Sequence, residues 1–498
     1  MLTHALLDEL GMPRSLALRN LLLRLANRAV SRGADESSVC DLIRRLGRTP
    51  DPDTVDLRLL APFAEPADTE ALKNHLQAWR RAHPYFAERP APAPYRVWGE
   101  GDKEPQVKTQ ITNACRLPVA VGAALMPDAH GGYGLPIGGV LAVKNAVIPY
   151  AVGVDIACRM RLTVLDLPTS ALETDRARLK DAVESQTRFG IGAAFEMGER
   201  SHPVMDDPLW HESFVLKGVF EKAQTQLGTS GSGNHFVEFG VLTVSEDVSE
   251  PGFTLAAGDY LALLSHSGSR GAGSAVADYF SALAASLHPE LPEDLRHLAW
   301  LSLDSDEGRD YWAAMELMGR YAAANHELIH RHILEHLGAK ALATVENHHN
   351  FAWKETLGDE EVVIHRKGAT PAGKGVLGVI PGSMATSGFV VRGKGNPDSY
   401  SSSSHGAGRL MSRARAFKTL SRDEWQRTMA EKGIEVISAT IDESPAVYKD
   451  IRSVMAAQAD LVDVLAEFKP RLVKMAPDAR EEAQKRRARA DQKVTARR

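Results

Sequence analysis

The sequence predicts an α+β fold: a large domain of mixed sheets surrounded by helices, preceded by a small helical extension. Three observations carry this. Apolar residues up to about position 85 recur at helical spacing, short β-rich runs punctuated by glycine take over from about Tyr95, and the helical stretches among those runs do not alternate with them regularly. A doubly wound parallel sheet demands such alternation, whereas a mixed sheet does not.

In the first part, Leu18, Leu21, Leu22, Leu25 and Ala26 share one helical face, and Leu72, Leu76 and Trp79 repeat the pattern after a cap assigned to Asp68. His75 and Cys40 read as structural. The segment H-P-Y-F-A-E-R-P-A-P-A-P breaks the pattern with four prolines, a semi-rigid linker signal, so residues 1–94 are assigned to a helical extension and linker. Residues 95–476 form the main domain. Its expected strands are G-G-V-L-A-V, A-V-I-P-Y-A-V-G-V, F-V-E-F-G, Y-L-A-L-L-S-H, E-V-V-I-H and F-V-V-R-G, with helices near 174–187, 271–287, 310–337 and 448–467. Ser421 and Glu424 form a capping box for a further helix, which Gly433 should stop. Residues 477–498 lose apolar periodicity and end K-R-R-A-R-A-D-Q-K-V-T-A-R-R, a basic tail.

The composition is that of a soluble globular protein, with 44% hydrophobic and 25% charged residues in 498. A formal net charge of -5 excludes a polycation, so any nucleic-acid contact must come from local basic patches. Cys40, Cys115 and Cys158 are too few and scattered for a disulfide framework, which makes a reducing cytoplasm the expected location. The start M-L-T-H-A-L-L-D-E-L has no basic region before an apolar core, and no run of eighteen apolar residues occurs, so neither export nor membrane insertion is expected.

The stretch Pro381 to Ala416 draws the chemistry together. His405 sits between four serines and Gly406, Ala407, Gly408 and Arg409. Small residues let a large ligand approach the backbone, whose N–H groups can face an anion. Arginines at 392, 409, 413 and 415 suit phosphate, because a guanidinium fork bonds two oxygens. An imidazole inside a phosphate cradle can accept a phosphoryl group itself. Taken alone, the stretch is equally well explained as a Gly/Ser loop with an incidental histidine.

Elsewhere, polar residues stand at the ends of β-like runs: Asp155 and Cys158 in V-D-I-A-C, His235 in S-G-N-H-F, His266 in L-S-H-S-G, and His349 in N-H-H-N-F. One carboxylate, one thiolate and three imidazoles suit a borderline transition metal such as Mn²⁺, Zn²⁺ or Co²⁺ better than Mg²⁺ alone, and a bridging thiolate allows two ions. Two other patterns are set aside. H-E-L-I-H at His326–His330 matches a zinc-protease motif, but Leu328, Ile329 and Ile333 explain it as an ordinary helix face, and Glu346 is the only convenient third ligand. G-A-T-P-A-G-K-G at Gly368–Gly375 has glycine where a P-loop needs Ser or Thr, and a strand-like run follows it.

Nine ordered motifs resemble the RtcB family of GTP-dependent RNA-splicing ligases, from about Tyr95 to Met475: M-P-D-A-H-G-G-Y-G-L-P-I-G-G-V, V-G-V-D-I-A-C, G-S-G-N-H-F-V-E, H-S-G-S-R-G, H-H-N-F-A, R-K-G-A, I-P-G-S-M, S-H-G-A-G-R-L-M-S-R and Y-K-D-I. The resemblance implies an enzyme joining an RNA 3′-phosphate or 2′,3′-cyclic phosphate end to a 5′-hydroxyl end, with GTP and two Mn²⁺ ions. It implies that His405 is guanylylated, that Asp155, Cys158, His235, His266 and His349 hold the metal, and that Cys158 bridges. Asn234, Phe236 and Glu238 would contact the nucleotide, as would Ser383, Ala407 and Gly408. Tyr448 would stack on guanine and Lys474 would reach its edge. Arg270, Arg392 and Arg409 are assigned to RNA phosphate. Whether an activating protein partner is required stays open.

The chain departs from the family's usual D-I-G-C-G with D-I-A-C-R, and from P-G-S-M-G with P-G-S-M-A. Ala157 is mild unless its φ is positive; Arg159 is either a new RNA contact or an impediment to one. Two other readings stay open: a metal-dependent phosphoesterase acting on RNA ends without ligation, and an RNA-binding protein without turnover.

Overall fold

Residues 2–10, 12, 16–48, 55–82, 88–99 and 104–478 are described by a computed structural model. The basic tail beyond Asp478 and part of the proline-rich linker, 83–87, lie outside the described residues. Four helices, His4–Glu9, Leu16–Ser31, Glu36–Arg48 and Pro66–Ala82, carry the predicted apolar faces. They bury Leu18, Leu22, Leu25, Leu72 and Leu76 in a core of their own, against which Leu287 also packs. The last helix begins at Pro66, not at Asp68. Glu65 accepts from the N–H groups of Asp68 and Thr69, and proline presets the first helical φ, which leaves Asp68 inside the first turn.

The first strand starts at Tyr95 and leads into a five-stranded sheet, in the order 95–97, 120–130, 137–143, 360–367 and 351–357. An eight-stranded sheet faces it, running 341–348, 159–165, 258–267, 236–244, 462–475, 388–393 and 377–380, with 435–438 alongside 462–475. Its two ends nearly meet. Asn347 donates to the carbonyl of Val379 at 3.5 Å and accepts from its N–H at 2.8 Å, so one side chain joins the terminal strands.

Strand periodicity decides what this near-barrel holds. Met160, Leu162 and Val164, Leu242 and Val244, Ala262 and Leu264, and Ala343 and Val345 alternate inward to one buried cluster. The same parity carried two to six residues further along the chain reaches Cys158, Phe236, Glu238, His266 and His349. The inward faces of these strands therefore become a polar mouth where the apolar filling stops. The other face packs on helices, chiefly through Ile329, Ile333 and Leu337 of the long helix Asp306–Leu337. That helix is capped by Ser305 Oγ on Gly308 N at 3.0 Å and ends at Gly338 in the left-handed region.

The predicted helices near 174–187, 271–287 and 310–337 appear as Arg176–Gln186, Arg270–Leu287 and Asp306–Leu337. Ser421 caps Arg422–Glu431 as expected, and Gly433 follows with φ +65. Two expectations fail. In A-V-I-P-Y-A-V-G-V only Ala146–Val147 is strand, because Pro149 opens a short helix, Pro149–Val152. Near 448–467 the helix is limited to Ile451–Ala456, and Val462–Met475 is a long strand. There Val462, Ala466 and Phe468 alternate with Asp463, Glu467 and Lys469, and Pro470 would break a helix interior. The near P-loop at Gly368–Gly375 is a strand, Ala369–Pro371, and a turn before the strand Leu377–Ile380, with no helix to hold a phosphate.

Candidate metal centre and histidine site

A cavity of about 370 Å³ opens at the mouth of the near-barrel, and Asp155, Cys158, His235, His266, His349 and His405 all line it. The first five form a ladder. Asp155 Oδ2 lies 2.9 Å from His235 Nε2, Cys158 Sγ lies 3.3 Å from His235 Nε2 and 3.0 Å from His266 Nε2, and His266 Nε2 lies 3.2 Å from His349 Nε2. The ligating atoms of Cys158, His235 and His266 all fall within 4.8 Å of one another.

Backbone carbonyls fix the ring nitrogens. His235 Nδ1 donates to Ser230 O and His266 Nδ1 to Asn234 O, both at 3.1 Å, which leaves each Nε2 lone pair aimed into the cluster. Arg270 also places two nitrogens 3.2 and 3.0 Å from His235 Nδ1, a donation that only the other tautomer can accept. A cation on Nε2 would, together with the Ser230 carbonyl, select the tautomer with Nδ1 protonated. Burial holds His266 and His349 well below the usual histidine range, and burial, then Asp155, pushes the Cys158 thiol up. Burial also opposes the charge of Asp155, but His235 and Arg270 outweigh it and hold the carboxyl below its ordinary range. One S–H can donate to only one of the two Nε2 lone pairs that converge on it, whereas a transition metal that displaces the thiol proton would satisfy the sulfur and both nitrogens together. The residues fit the group.

His405 stands beside this ladder, its ring centroid 4.9 Å from that of His349. Its Nδ1 lies 2.7 Å from Asp128 Oδ2, and the same oxygen accepts from the N–H groups of His405 at 3.2 Å and Gly406 at 3.4 Å. Asp128 is fully buried, so one carboxylate sets both the ring and the loop. Gly408 is required by this approach: its φ is +75, and a Cβ there would lie 2.0 Å from Asp128 O.

Of the predicted nucleotide contacts, Asn234, Phe236, Glu238, Ser383, Ala407, Gly408 and Tyr448 line the cavity. Burial pushes the Glu238 carboxyl well above its usual range. Glu443 gathers Arg413 and the Tyr448 hydroxyl, with Arg409 NH1 at 3.6 Å, which fixes that wall. Arg409 lines the cavity and lies over the Tyr448 ring at 5.5 Å. Arg270 stands behind the ladder, against His235.

Besides Arg270, two assigned residues do not line the cavity, Lys474 and Arg392. The register shift between Pro470 and Leu472 turns Val473 and Met475 toward the cavity, so Lys474 points the other way. Its Nζ donates to Val183 O at 3.3 Å and to Thr187 Oγ1 at 3.1 Å. Arg392 lies further along the strand that brings Gly388 to the cavity, about 13 Å away at strand spacing, and pairs with Glu250 at 2.7 Å and Asp463 at 3.2 Å. Lys367 was missed although it lines the cavity; its Nζ donates to Tyr133 O at 2.6 Å, and burial pulls its pKa down to about 7. Asp128 was also missed, although it stands in the quoted M-P-D-A-H. The histidines of H-E-L-I-H are bonded internally: Ser265 Oγ lies 2.6 Å from His326 Nδ1 and 2.8 Å from His330 Nε2, and His330 Nδ1 lies 2.8 Å from Thr163 Oγ1.

The family profile described as tRNA-splicing ligase RtcB matches residues 110–211 and 199–475. The chain belongs to the RtcB family. The RNA-splicing ligase RtcB of Escherichia coli K12 is 34% identical over 401 residues, covering 75% of this chain and 95% of that protein. The tRNA-splicing ligase RtcB of Nanoarchaeum equitans is 31% identical over 440 residues, 74% of this chain and 91% of that one. The RtcB match begins at residue 110, so the four N-terminal helices up to Ala82 precede it entirely.

The two departures from the usual RtcB motif now have locations. Ala157 has φ +54, the left-handed region, and its N–H donates to Asn350 O at 2.8 Å. Arg159 is 8% exposed and does not line the cavity.

Proposed function

We propose that the protein is an RNA ligase that joins a 3′-phosphate or 2′,3′-cyclic phosphate end to a 5′-hydroxyl end, with GTP consumed through a guanylylated His405. The observation that carries this is the Asp128–His405 pair set beside the metal-ligand ladder. With Nδ1 committed to Asp128, the lone pair of His405 lies on Nε2. That nitrogen attacks the α-phosphorus of GTP, so an N–P bond forms as the bond to pyrophosphate breaks. The guanylyl group then passes to an oxygen of the RNA 3′-phosphate. The 5′-hydroxyl attacks the activated phosphorus, GMP leaves, and a cyclic end is first opened by water.

Mn²⁺ is the reading for the metal, and its bound charge would neutralise phosphate oxygens. Cys158, His235 and His266 form one candidate ligand set, with Asp155 2.9 Å from His235 and His349 3.2 Å from His266 at its flanks, so two ions would draw on all five residues and could share the thiolate. Glu238 favours guanine, because a carboxylate accepts from two parallel donors that guanine presents and adenine lacks. Tyr448 and Phe236 offer ring surface to the base. Arg409 and Lys367 line the cavity and are the cations this reading assigns to phosphate, with Lys367 taking the role given to Arg392; Arg270 stays behind His235.

The test is to supply RNA with a cyclic phosphate end and a 5′-hydroxyl end, together with GTP and Mn²⁺, and to look for joined product. Opening of the cyclic end without GTP and without joining would favour the phosphoesterase reading. Salt-sensitive RNA binding with neither product would favour the binding protein.

A further inference from the structure

Arg159 belongs to a layer behind the cavity. Its NH1 donates to Gly319 O at 3.2 Å, its Nε lies 3.1 Å from Glu346 Oε1, and its NH2 lies 3.2 Å from His348 Nδ1. Arg159 and His348 are direct cross-strand partners, and their chain neighbours Cys158 and His349 are the cavity-facing ligands. The N–H of His349 donates to Cys158 O at 2.8 Å, so the outward pair and the inward pair share one ladder rung.

The contacts continue. The His348 ring lies 5.0 Å from that of Trp353 at 37°, and the guanidinium of Arg366 lies 4.7 Å from the same indole. Arg366 is 1% exposed and balanced by Glu355 at 2.6 Å. It donates to Ser402 Oγ at 2.7 Å and to Tyr400 O at 2.8 Å. The strand Ser402–Ser404 runs directly into His405. Each member touches the next, and none of Arg159, His348, Trp353 and Arg366 lines the cavity. Two buried guanidinium groups carry a large desolvation cost, and here each is spent on bridging separate elements rather than on filling one core.

We propose that Arg159, His348, Trp353 and Arg366 are positioning residues, a cation–aromatic stack of two buried guanidinium groups and two partly buried rings that holds the Cys158–His349 rung and the His405 loop at one separation. The half that concerns His405 rests on the guanylylation reading; the half that concerns the metal ligands does not. The stack acts through the ligands and the nucleophile without touching substrate, so loosening its middle should reach both ends.

The test uses the full chain with Trp353→Leu and Trp353→Phe. Co²⁺ alone is titrated, with the Cys158 thiolate-to-cobalt charge-transfer absorption as readout, and His405 labelling is timed at saturating GTP and Mn²⁺. Trp353→Leu should weaken Co²⁺ binding and slow labelling by about ten-fold each, the usual scale for residues that orient metal ligands. The KM for GTP should stay close to wild type, and Trp353→Phe, which keeps a ring between the cations, should restore both. A leucine variant that matches the parent in cobalt affinity and labelling rate overturns the stack. If the parent binds Co²⁺ and never labels, the guanylylation reading fails and the cobalt titration still decides. Should Trp353→Leu not fold, Arg366→Lys keeps the charge, loses the planar fork, and must show the same two losses.

Discussion

Asp128 Oδ2 lies 2.7 Å from His405 Nδ1 and accepts the backbone N–H of the same residue at 3.2 Å. A carboxylate that grips ring and backbone together leaves the imidazole one orientation and one tautomer, with Nε2 open. Asp128→Asn keeps the shape but can present its amide N–H to Nδ1, which selects the tautomer with the proton on Nε2. Single-turnover labelling of His405 should slow by about 100-fold or more, with the KM for GTP little changed. Equal rates for parent and variant would remove Asp128 from the mechanism.

Ala157 tests the strain at the metal turn. An L-residue in the left-handed region costs about 1–2 kcal/mol, and glycine's extra freedom in the unfolded chain offsets about 0.4–1 kcal/mol of that. Ala157→Gly should therefore stabilise the protein by about 0.5–1 kcal/mol in urea unfolding, with φ +54 as the cause. A destabilised variant would show that the methyl group packs for more than the strain costs.

Lys367 gives a proton-linkage prediction. Burial lowers its pKa to about 7 in the folded protein, against about 10.4 when unfolded. Between those values the unfolded chain binds more protons, so the contribution of this residue to stability grows as pH rises from 7 toward 10 and is lost as pH falls to 7. A phosphate held against the ammonium restores its charge. Calorimetry of GTP binding at pH 8 in buffers of different ionisation enthalpy should show proton uptake, and Lys367→Met should abolish it. Uptake that persists in the variant assigns the proton to another group.

Lys474 supplies a negative control. Because Val473 and Met475 face the cavity and Lys474 bonds Val183 O, Lys474→Met should leave the KM for GTP unchanged in the labelling assay. The cost should appear as about 1 kcal/mol of stability, the scale of a lost hydrogen bond. A ten-fold rise in KM would restore Lys474 to the nucleotide site.

These cases show what the sequence carries and what it hides. The five candidate ligands stand in short ordered motifs and line one cavity in the structure, and strand parity turns Cys158, His266 and His349 inward. The α+β class was legible from periodicity, as was the capping box at Ser421. Lys474 was misread because its direction depends on the register shift after Pro470, which period-2 reading cannot see. Arg392 is not at the cavity because proximity in sequence to His405 is not proximity in a sheet: its strand runs away to Glu250 and Asp463. Asp128 was missed because a carboxylate that orients a histidine 277 residues away leaves no local signature. Arg159 was read as an RNA contact or an impediment to one because nothing in D-I-A-C-R reveals Glu346 and His348 across the ladder.

The central claim is that His405 becomes covalently attached to GMP. Incubation with Mn²⁺ and GTP labelled at the α-phosphate, followed by denaturing electrophoresis, measures it directly. The parent protein should retain the label, lose it in acid and keep it in alkali, as a phosphoramidate does, while His405→Ala should retain none. Labelling of His405→Ala at the parent level, or no label on a parent protein that binds Mn²⁺, would contradict the account.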